Sequence, residues 1–228
     1  MKQEELEAVC RVDQLFKNLE ESRAGELLAQ VTYPWEVLEK IHDFILQLGP
    51  TLSPDEYEER EAQVWIAKSA KVYPTATIIG PTIIGPDTEV RPGAFIRGNA
   101  LVGAGCVIGN STELKNVIIF NSVQVPHYNY VGDSVLGYKS HMGAGSITSN
   151  VKADKTLVEI KHGEAHIPTG RKKVGAILGD HVEIGCNTVL NPGTVVGAGS
   201  NVYPVSMVRG YVPAGSIYKK QGEILEKY

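Results

Sequence analysis

The sequence is poor in cysteine and in aromatic residues, and neither sign of charge dominates it. Its three cysteines, Cys10, Cys106 and Cys186, lie far apart in 228 residues, so they fit neither a disulfide framework nor a zinc knuckle. The formal net charge of -4 disfavours a nucleic-acid partner. No apolar run resembles a membrane span or a cleavable signal. These absences favour a protein of the reducing cytoplasm that binds neither nucleic acid nor membrane.

The first 62 residues are predicted to form a small α-helical segment. Apolar residues recur at helical spacing over residues 4–30 and again over residues 34–48. Ser53 is a candidate cap for a short third helix. We interpret the segment as a helical cap or a subunit-contact element, because roughly sixty residues hold too little core for a separate catalytic domain.

Residues 63–228 follow a different period, in which aliphatic residues recur every six positions. This spacing suits neither a helix, which needs three and four, nor an ordinary strand, which needs two. It is typical of the hexapeptide repeat of a parallel β-helix, whose coils stack because none can bury its own face. The positions that keep the period are Ile66, Val72, Ile78, Ile84, Val90, Ile96, Val102, Ile108 and Leu114, and then Leu178, Ile184, Leu190, Val196, Val202 and Val208.

Two stretches interrupt the repeat. The hexads slip register between Ile119 and Leu136, around His127, and a polar insertion near residues 151–176 replaces them altogether. Insertions in repeat proteins tend to be loops on the binding face, so both stretches are candidate functional surface. A short polar tail, Glu223–Tyr228, is predicted to follow the last coil.

His127 is the candidate general base. It lies in the loop-like segment PHYNY, and histidine is the side chain whose ordinary pKa lies near cytoplasmic pH. Such a side chain can take a proton from a substrate group and return it later in a reaction. Tyr130, three residues later, offers a hydroxyl for substrate. The alternative is a histidine that only hydrogen-bonds a turn.

Arg91 and Lys115 are a candidate anion-binding pair. Each directly follows an aliphatic residue of the repeat, and they are 24 positions apart. If three hexads make a coil, this separation is one coil plus one face, so the two side chains should lie on neighbouring faces and not be stacked. Solvated surface charge is the alternative.

Asn150 ends the run GAGSITSN, where the repeat gives way to the insertion. Its amide is suited to orient a sugar hydroxyl or an acyl carbonyl. The backbone N–H groups of residues 143–145 are candidates to stabilise an oxyanion, although GAG is also ordinary turn chemistry.

Four short motifs occur in this order within about residues 64–210: RPGA, ELKN, HYNYVGD and GAGSITSN. Together they resemble the acetyltransferase domain of the bifunctional bacterial enzymes that acetylate glucosamine 1-phosphate and uridylylate the product. The resemblance implies an all-β fold, a left-handed parallel β-helix, assembled as a homotrimer with sites between subunits. It implies transfer of acetyl from acetyl-CoA to the amine of an amino-sugar 1-phosphate. The residues that it marks are His127 and Asn150 as catalytic, and Arg91, Lys115, Tyr130, His141 and Lys155 as substrate-binding.

The same resemblance places Gly143, Ala144, Cys186 and Pro204 where acetyl-CoA is contacted. His141 stands where the bacterial family has a substrate-contacting asparagine, which leaves the identity of the sugar open.

The inserted words IPTGRKKVGAILGD resemble archaeal sugar-1-phosphate transferases. This resemblance implies that Arg171, Lys172 and Lys173 reach the phosphates of coenzyme A or of the sugar, with a basic solvated loop as the alternative. No glycine-rich nucleotide-binding word precedes the repeat, so uridylyl transfer is not expected.

Two other functions stay open at this stage. One is a non-catalytic β-helix that acts as a scaffold or a sugar-phosphate sensor. The other is a zinc-dependent carbonic anhydrase on the same fold, for which His127, His141, His162 and His166 are the available imidazoles. His162 and His166 are four residues apart, but they lie in a predicted loop and not on a helix, which is a poor arrangement for a metal site.

Overall fold

The computed structural model describes residues 1–220 and 223–226. It consists of a parallel β-solenoid and an N-terminal segment of short helices that lies along one of its faces. The fold predicted from the six-residue period is therefore confirmed. No helix of the described residues is long and apolar enough to cross a membrane.

The helical elements are α1 (Gln3–Val9), α2 (Val12–Leu15), α3 (Gly25–Ala29) and α4 (Ile41–Leu48), with 3₁₀ turns at Leu19–Glu21, Pro34–Val37 and Gly49–Thr51. The strands are β1 (Tyr57–Glu61), β2 (Val64–Ala67), β3 (Lys71–Val72), β4 (Thr77–Ile78), β5 (Thr82–Ile84), β6 (Glu89–Val90), β7 (Phe95–Ile96), β8 (Ala100–Val102), β9 (Val107–Asn110), β10 (Glu113–Ile119), β11 (Gln124–His127), β12 (Tyr130–Leu136), β13 (His141–Met142), β14 (Ile147–Thr148), β15 (Glu159–His162), β16 (Ala165–Pro168), β17 (Ala176–Leu178), β18 (Glu183–Ile184), β19 (Val189–Leu190), β20 (Thr194–Val196), β21 (Asn201–Val202), β22 (Met207–Val208), β23 (Tyr211–Val212), β24 (Ser216–Lys220) and β25 (Glu223–Glu226).

The coils stack into three faces. The covered face consists of β2, β5, β8, β17, β20 and β23 together with the second halves of β10 and β12. The open face consists of β4, β7, β14, β19 and β22 together with the first halves of β10 and β12. The third face consists of β3, β6, β9, β11, β13, β18, β21 and β24.

The aliphatic residues at the six-residue spacing fill the interior of the solenoid. From Ile84 to Val208 they are at most 3% exposed, whereas Val72 and Ile78 of the first coil are partly buried. Each such side chain contributes about 1.5–3 kcal/mol when it is fully buried, so the interior alone stabilises the stack of coils strongly.

The covered face carries a second apolar column on its outer side. Its members, one from each coil, are Trp65, Ile83, Leu101, Ile118, Val135, Ile177, Val195 and Tyr211. All are at most 8% exposed because the N-terminal segment lies over them. Phe16 stacks on Phe120 with ring centroids 5.0 Å apart, and a Cβ at Gly49 would overlap the Trp65 ring.

Polar contacts fasten the segment to the same face. The carboxylate of Asp180 accepts hydrogen bonds from the backbone N–H groups of Lys17 and Asn18 at 2.8 and 3.2 Å, and from the Asn18 amide at 2.8 Å. Asn121 donates to Glu21 at 2.8 Å. Because successive contacts involve successive coils, the segment runs lengthwise along the solenoid and packs as a single layer.

The predicted α-helical N-terminal segment is confirmed, but two of its details differ from the prediction. The apolar residues at helical spacing form short pieces and not two long helices, because their side chains follow a flat sheet face. The residues from Ser53 to Glu56 form a turn in which Tyr57 N–H donates to Ser53 O at 2.9 Å, and β1 then pairs antiparallel with β2. The first strand therefore begins at Tyr57, before the expected boundary at residue 62.

The register slip lies only partly within the predicted stretch from Ile119 to Leu136. Ile119, Val125 and Val131 stay six apart and are fully buried, so the coil is regular around His127. The shortening by one residue lies on either side, between Leu114 and Ile119 and between Val131 and Leu136. At these two corners one left-handed residue, Asn116 (φ 54°) or Asp133 (φ 49°), turns the chain within a continuous strand.

The insertion is not a loop throughout, since its strands β15 and β16 pair antiparallel as a β-hairpin. Val158, just before β15, and Ile160 within it are fully buried. The amide of Gln3 donates to His166 O at 2.9 Å, so α1 holds the outer strand. The first four residues of the predicted polar tail form β25, which pairs antiparallel with β24. Residues 227 and 228 of the predicted tail lie outside the described residues.

Candidate active site

Asp133 is the centre of a buried polar cluster at the corner between the open and the covered face. Its side chain is 6% exposed. Lys115 Nζ lies 3.2 and 3.4 Å from its two carboxylate oxygens, Asn116 donates to Oδ1 at 2.9 Å, and Asn150 donates to Oδ2 at 2.5 Å. The cluster therefore contains one cation, one anion and two amides, drawn from three successive coils.

Tyr130 extends this cluster onto the open face. Its hydroxyl accepts a hydrogen bond from the Asn150 amide at 3.2 Å. Burial raises the pKa of the Tyr130 phenol above its ordinary value, and the nearby Asp133 carboxylate adds to the effect. The hydroxyl is thus protonated at neutral pH and can donate a hydrogen bond. Gly132 makes the arrangement possible, since a Cβ there would lie 2.5 Å from the Tyr130 oxygen.

The basic residue that stacks on Lys115 is Arg97 and not Arg91. Ile96 pairs with Leu114, so Arg97 directly precedes Lys115 in the column, and Arg97 NH1 lies 2.7 Å from Glu113 Oε1. Arg91 is on the third face, where its Nε lies 2.9 Å from Glu89. The expectation that Arg91 and Lys115 lie on different faces is confirmed, and Arg97 was missed.

His127 lies at the corner between the third face and the open face, at the end of β11. Its side chain is exposed, and among the described residues none forms a hydrogen bond with its ring. The loop after it is fixed by Asn129, which is 2% exposed and whose amide donates to Gly143 O at 2.8 Å and to Ser146 O at 3.1 Å. Asn129 also accepts from His127 N–H at 3.0 Å, so the imidazole projects from a rigid turn.

The residues predicted to contact acetyl-CoA form a column with His127. Strand pairing of Gln124 with His141 and of His141 with Glu183 sets the register. In this register His127, Ala144, Cys186 and Pro204 occupy the same corner in four successive coils. The structure therefore brings these four predicted residues together along one edge of the solenoid.

Two of the three backbone N–H groups proposed for the oxyanion are already used. Gly143 N–H donates to Ile184 O at 2.7 Å and Gly145 N–H donates to His127 O at 3.0 Å. Ala144 N–H, between them, has no acceptor within the part of the chain that the structure describes. Only this group of the three is left to bind a developing negative charge.

The remaining predicted residues lie apart from both groups. His141 is on the third face, with Nδ1 2.8 Å from Glu183. Arg171 pairs with Glu39 of the N-terminal segment at 2.9 Å, and Lys155 occupies an exposed turn with φ 56°. Lys172 is exposed.

Lys173, the other basic residue of the insertion, lies opposite Val151. A cavity of about 490 Å³ separates the hairpin from the end of the open face and is lined by Ser149, Lys152, Lys161 and Arg209 among others.

The histidines considered for zinc do not converge within the chain. Across residues 1–220 and 223–226, no three side chains of His, Cys, Asp or Glu are grouped so as to hold a metal ion. His162 Nδ1 lies 3.1 Å from Tyr211 O, where it helps to fix the hairpin.

Comparison with known proteins places this site within a defined family. Residues 78–200 match the family model described as the GMPPB C-terminal domain. The chain belongs to this family. The matched residues include His127 and the whole cluster around Asp133, whereas the N-terminal segment lies outside the match.

Two proteins are similar to this chain in sequence. The chain is 33% identical over 135 residues to the bifunctional sugar-1-phosphate nucleotidylyltransferase/acetyltransferase of Sulfurisphaera tokodaii, covering 59% of this chain and 32% of the relative. It is 32% identical over 197 residues to the bifunctional protein GlmU of Methanococcus vannielii, covering 85% and 47%. The chain thus spans less than half the length of these two relatives.

A solved structure of a hexapeptide transferase family protein from Anaplasma phagocytophilum is similar at 20% identity and a TM-score of 0.42, covering 72% of this chain and 80% of that one. The acetyltransferase domain of PglB from Neisseria gonorrhoeae in complex with acetyl coenzyme A is similar at 17% identity and a TM-score of 0.32, covering 68% and 53%.

Proposed function

We propose that the protein is an acetyl-CoA-dependent N-acetyltransferase that acts on an amino-sugar 1-phosphate of the glucosamine 1-phosphate type. The observation that carries the proposal is the arrangement of the His127 coil and its two neighbours. An exposed imidazole lies on a rigid turn at one corner, and Tyr130, three residues later, contacts the cluster of Lys115, Asp133 and Asn150. Base, hydrogen-bonding groups and a cation are thus presented along the same surface.

In the proposed reaction the neutral substrate amine attacks the thioester carbonyl carbon, and His127 Nδ1 or Nε2 takes one proton from the nitrogen as the bond forms. The new C–N bond forms, the C–S bond breaks, and the electron pair leaves with sulfur, which takes the proton back from His127. Ala144 N–H, one coil from His127, is placed to hold the carbonyl oxygen as it becomes negative. The thiol and the N-acetyl sugar phosphate are the products.

The sugar phosphate is proposed to lie on the open face. Tyr130 and Asn150 offer a neutral hydroxyl and an amide to sugar hydroxyls, and Lys115 and Arg97 offer charge to the phosphate. Both cations have a carboxylate partner, so phosphate binding is expected to compete with Glu113 for Arg97, whose side chain is 45% exposed. The donor is proposed to follow the edge formed by Ala144, Cys186 and Pro204.

The active form is proposed to be a homotrimer with sites between subunits. Support comes from the outer column of the open face, where Phe95, Ile147, Val189 and Met207 are not fully covered, and Phe95 and Met207 are 37% and 50% exposed. A second copy would bury this column and close the surface beside His127.

The deciding experiment is thiol release from acetyl-CoA by purified protein, with glucosamine 1-phosphate, galactosamine 1-phosphate or no sugar. We expect release only with an amino-sugar phosphate, and a loss of roughly 100-fold or more in kcat for His127→Ala with unchanged folding. Binding of the sugar phosphate without thiol release would instead support a sensor or scaffold. Equal turnover by His127→Ala would remove this residue from the mechanism.

A further inference from the structure

Asp133 has a contact pattern that a merely structural aspartate does not need. Among the described residues, every donor to its carboxylate is a side chain, and two of these donors, Lys115 and Asn150, belong to the surface proposed to bind substrate. The cation comes from the coil before Asp133 and Asn150 comes from the coil after it. A single carboxylate thus fixes groups on two neighbouring coils.

Asp180 offers an internal comparison. It is equally buried, at 2% exposure against 4% for Asp133. Apart from the Asn18 amide, its donors are backbone N–H groups, those of Lys17, Asn18 and Tyr138. Within the described part of the chain its carboxylate contacts no charged side chain, so it serves the attachment of the N-terminal segment.

The cluster also reaches the N-terminal segment. The amide of Asn116 has two hydrogens, of which one goes to Asp133 Oδ1 at 2.9 Å and the other to Leu38 O at 3.1 Å. Asn116 is 7% exposed, so water does not compete for either bond. The segment is therefore joined to Lys115, and likewise to Asn150, by a chain of three hydrogen bonds that runs from Leu38 through Asn116 and Asp133.

We propose that Asp133 is a positioning residue of the acyl-transfer site, which holds Lys115 and Asn150 in place and links both to the N-terminal segment through Asn116 and Leu38. The inference rests on the proposed function. Its physical basis is that Lys115 has a long flexible side chain, which would sample many conformations without a buried anionic partner. A displacement of about 1 Å in such a site costs up to roughly 100-fold in rate.

The test is a double-mutant cycle on the full chain with Asp133→Asn, Lys115→Met and the double variant, and with Asp180→Asn as the matched buried control. Asparagine keeps the shape of Asp133 but presents an amide hydrogen to Lys115 or Asn150. We expect Asp133→Asn to lower kcat/KM for the amino-sugar phosphate by roughly 30-fold, and to lower it less than about threefold when Lys115 is already methionine. Asp180→Asn should leave kcat/KM of the folded protein unchanged.

Hydrogen exchange of the same variants separates this inference from the function on which it rests. In Asp133→Asn, backbone amides of residues 34–48 and 113–119 should exchange faster, whereas in Asp180→Asn the change should fall on residues 12–24. Additive effects in the cycle, or unaltered exchange at residues 34–48, would overturn the positioning role. If the wild type releases no thiol, the proposed function fails, and hydrogen exchange alone decides whether Asp133 holds these groups.

Discussion

The covered face and the open face are built from the same coils, and they differ only on their outer side. The outer column of the covered face is aliphatic or aromatic from Trp65 to Tyr211, and every member is at most 8% exposed. The outer column of the open face includes Phe95, Glu113 and Tyr130, and its side chains are at least partly accessible to solvent.

The comparison shows how one repeat provides both support and function. The inner aliphatic residues are interchangeable between the faces, because each coil must fill the same interior. The chain itself covers one outer column, which makes that side rigid. The other is proposed to bind substrate and a second copy, and polar groups such as Lys115 and Asp133 lie where the two faces meet.

The largest expected effect comes from one substitution made on each face. Ile118→Asp places an unpaired carboxylate beneath the N-terminal segment and should lower the free energy of unfolding by about 3–5 kcal/mol or prevent folding. Met207→Asp, at the corresponding outer position of the open face, should leave the chain folded, because Met207 is 50% exposed. Circular dichroism and thermal unfolding measure both. Equal destabilisation would show that the open face is also closed within one chain.

Phe16→Ala should sharpen the same contrast. It removes the ring that stacks on Phe120 at 5.0 Å, and large-to-small changes of buried aromatic residues cost about 3–5 kcal/mol. We expect a lower midpoint of denaturant unfolding with kcat/KM close to wild type at temperatures where the variant is folded. A strong loss of turnover in the folded variant would contradict the separation of support from function.

The thiols distinguish the interior from the accessible edge. Burial raises the pKa of Cys10 and of Cys106 to about 12, whereas Cys186 is exposed. Between pH 9 and pH 12 the unfolded chain loses these two thiol protons, whereas the folded protein keeps them. The contribution of the two thiols to stability is therefore complete below their ordinary pKa of 9.0 and is lost as the pH rises from 9.0 towards 12. At pH 10 each of the two buried cysteines lowers the free energy of unfolding by about 1.4 kcal/mol.

Unfolding measurements at pH 8 and pH 10 test this expectation. Cys10→Ala should remove part of the alkaline loss of stability, and Cys186→Ala should not alter it. A thiol reagent at pH 8 should modify Cys186 alone in the native state. Rapid labelling of all three cysteines would show that the N-terminal segment opens easily.

Tyr130→Phe has the smallest predicted effect. It removes one hydroxyl, which accepts from Asn150 at 3.2 Å, and a hydrogen bond of this kind contributes about 0.5–1.5 kcal/mol. We expect KM for the amino-sugar phosphate to rise up to roughly tenfold, with thermal stability within about 1 kcal/mol of wild type. A change in stability alone, with KM unaltered, would place the hydroxyl outside the substrate surface.

The sequence predicts the solenoid well because its signal is physical repetition: each coil must place one aliphatic residue inward every six positions. The sequence also contains a signal for the outer column of the covered face, in pairs of adjacent aliphatic residues. The six-residue period uses only the second member of each pair. The pairs are Ile83-Ile84, Leu101-Val102, Ile177-Leu178 and Val195-Val196. These pairs would have predicted a face buried on both sides.

The site was predicted less completely, for reasons that lie in the stacking. Asp133 contacts Asn116 and Asn150, each 17 residues away, and not 18, because two corners are one residue shorter. A strict period of 18 does not align them. The sequence did not single out Arg97, because the motif RPGA that resembles the bacterial enzymes contains Arg91. Only the strand pairing shows that Arg97 precedes Lys115 in the column. The helical spacing of residues 4–30 could not reveal a flat sheet beneath it.

The lengthwise course of the N-terminal segment has a consequence for the evolution of the chain. A solenoid ordinarily gains or loses whole coils with little penalty, since each contacts only its neighbours. Here the segment meets Trp65 at Gly49 and approaches the far end through Gln3 and the hairpin. Because the segment spans the stack of coils, its length has to match their number. Duplication or deletion of a coil is therefore expected to be tolerated only if the segment changes length as well.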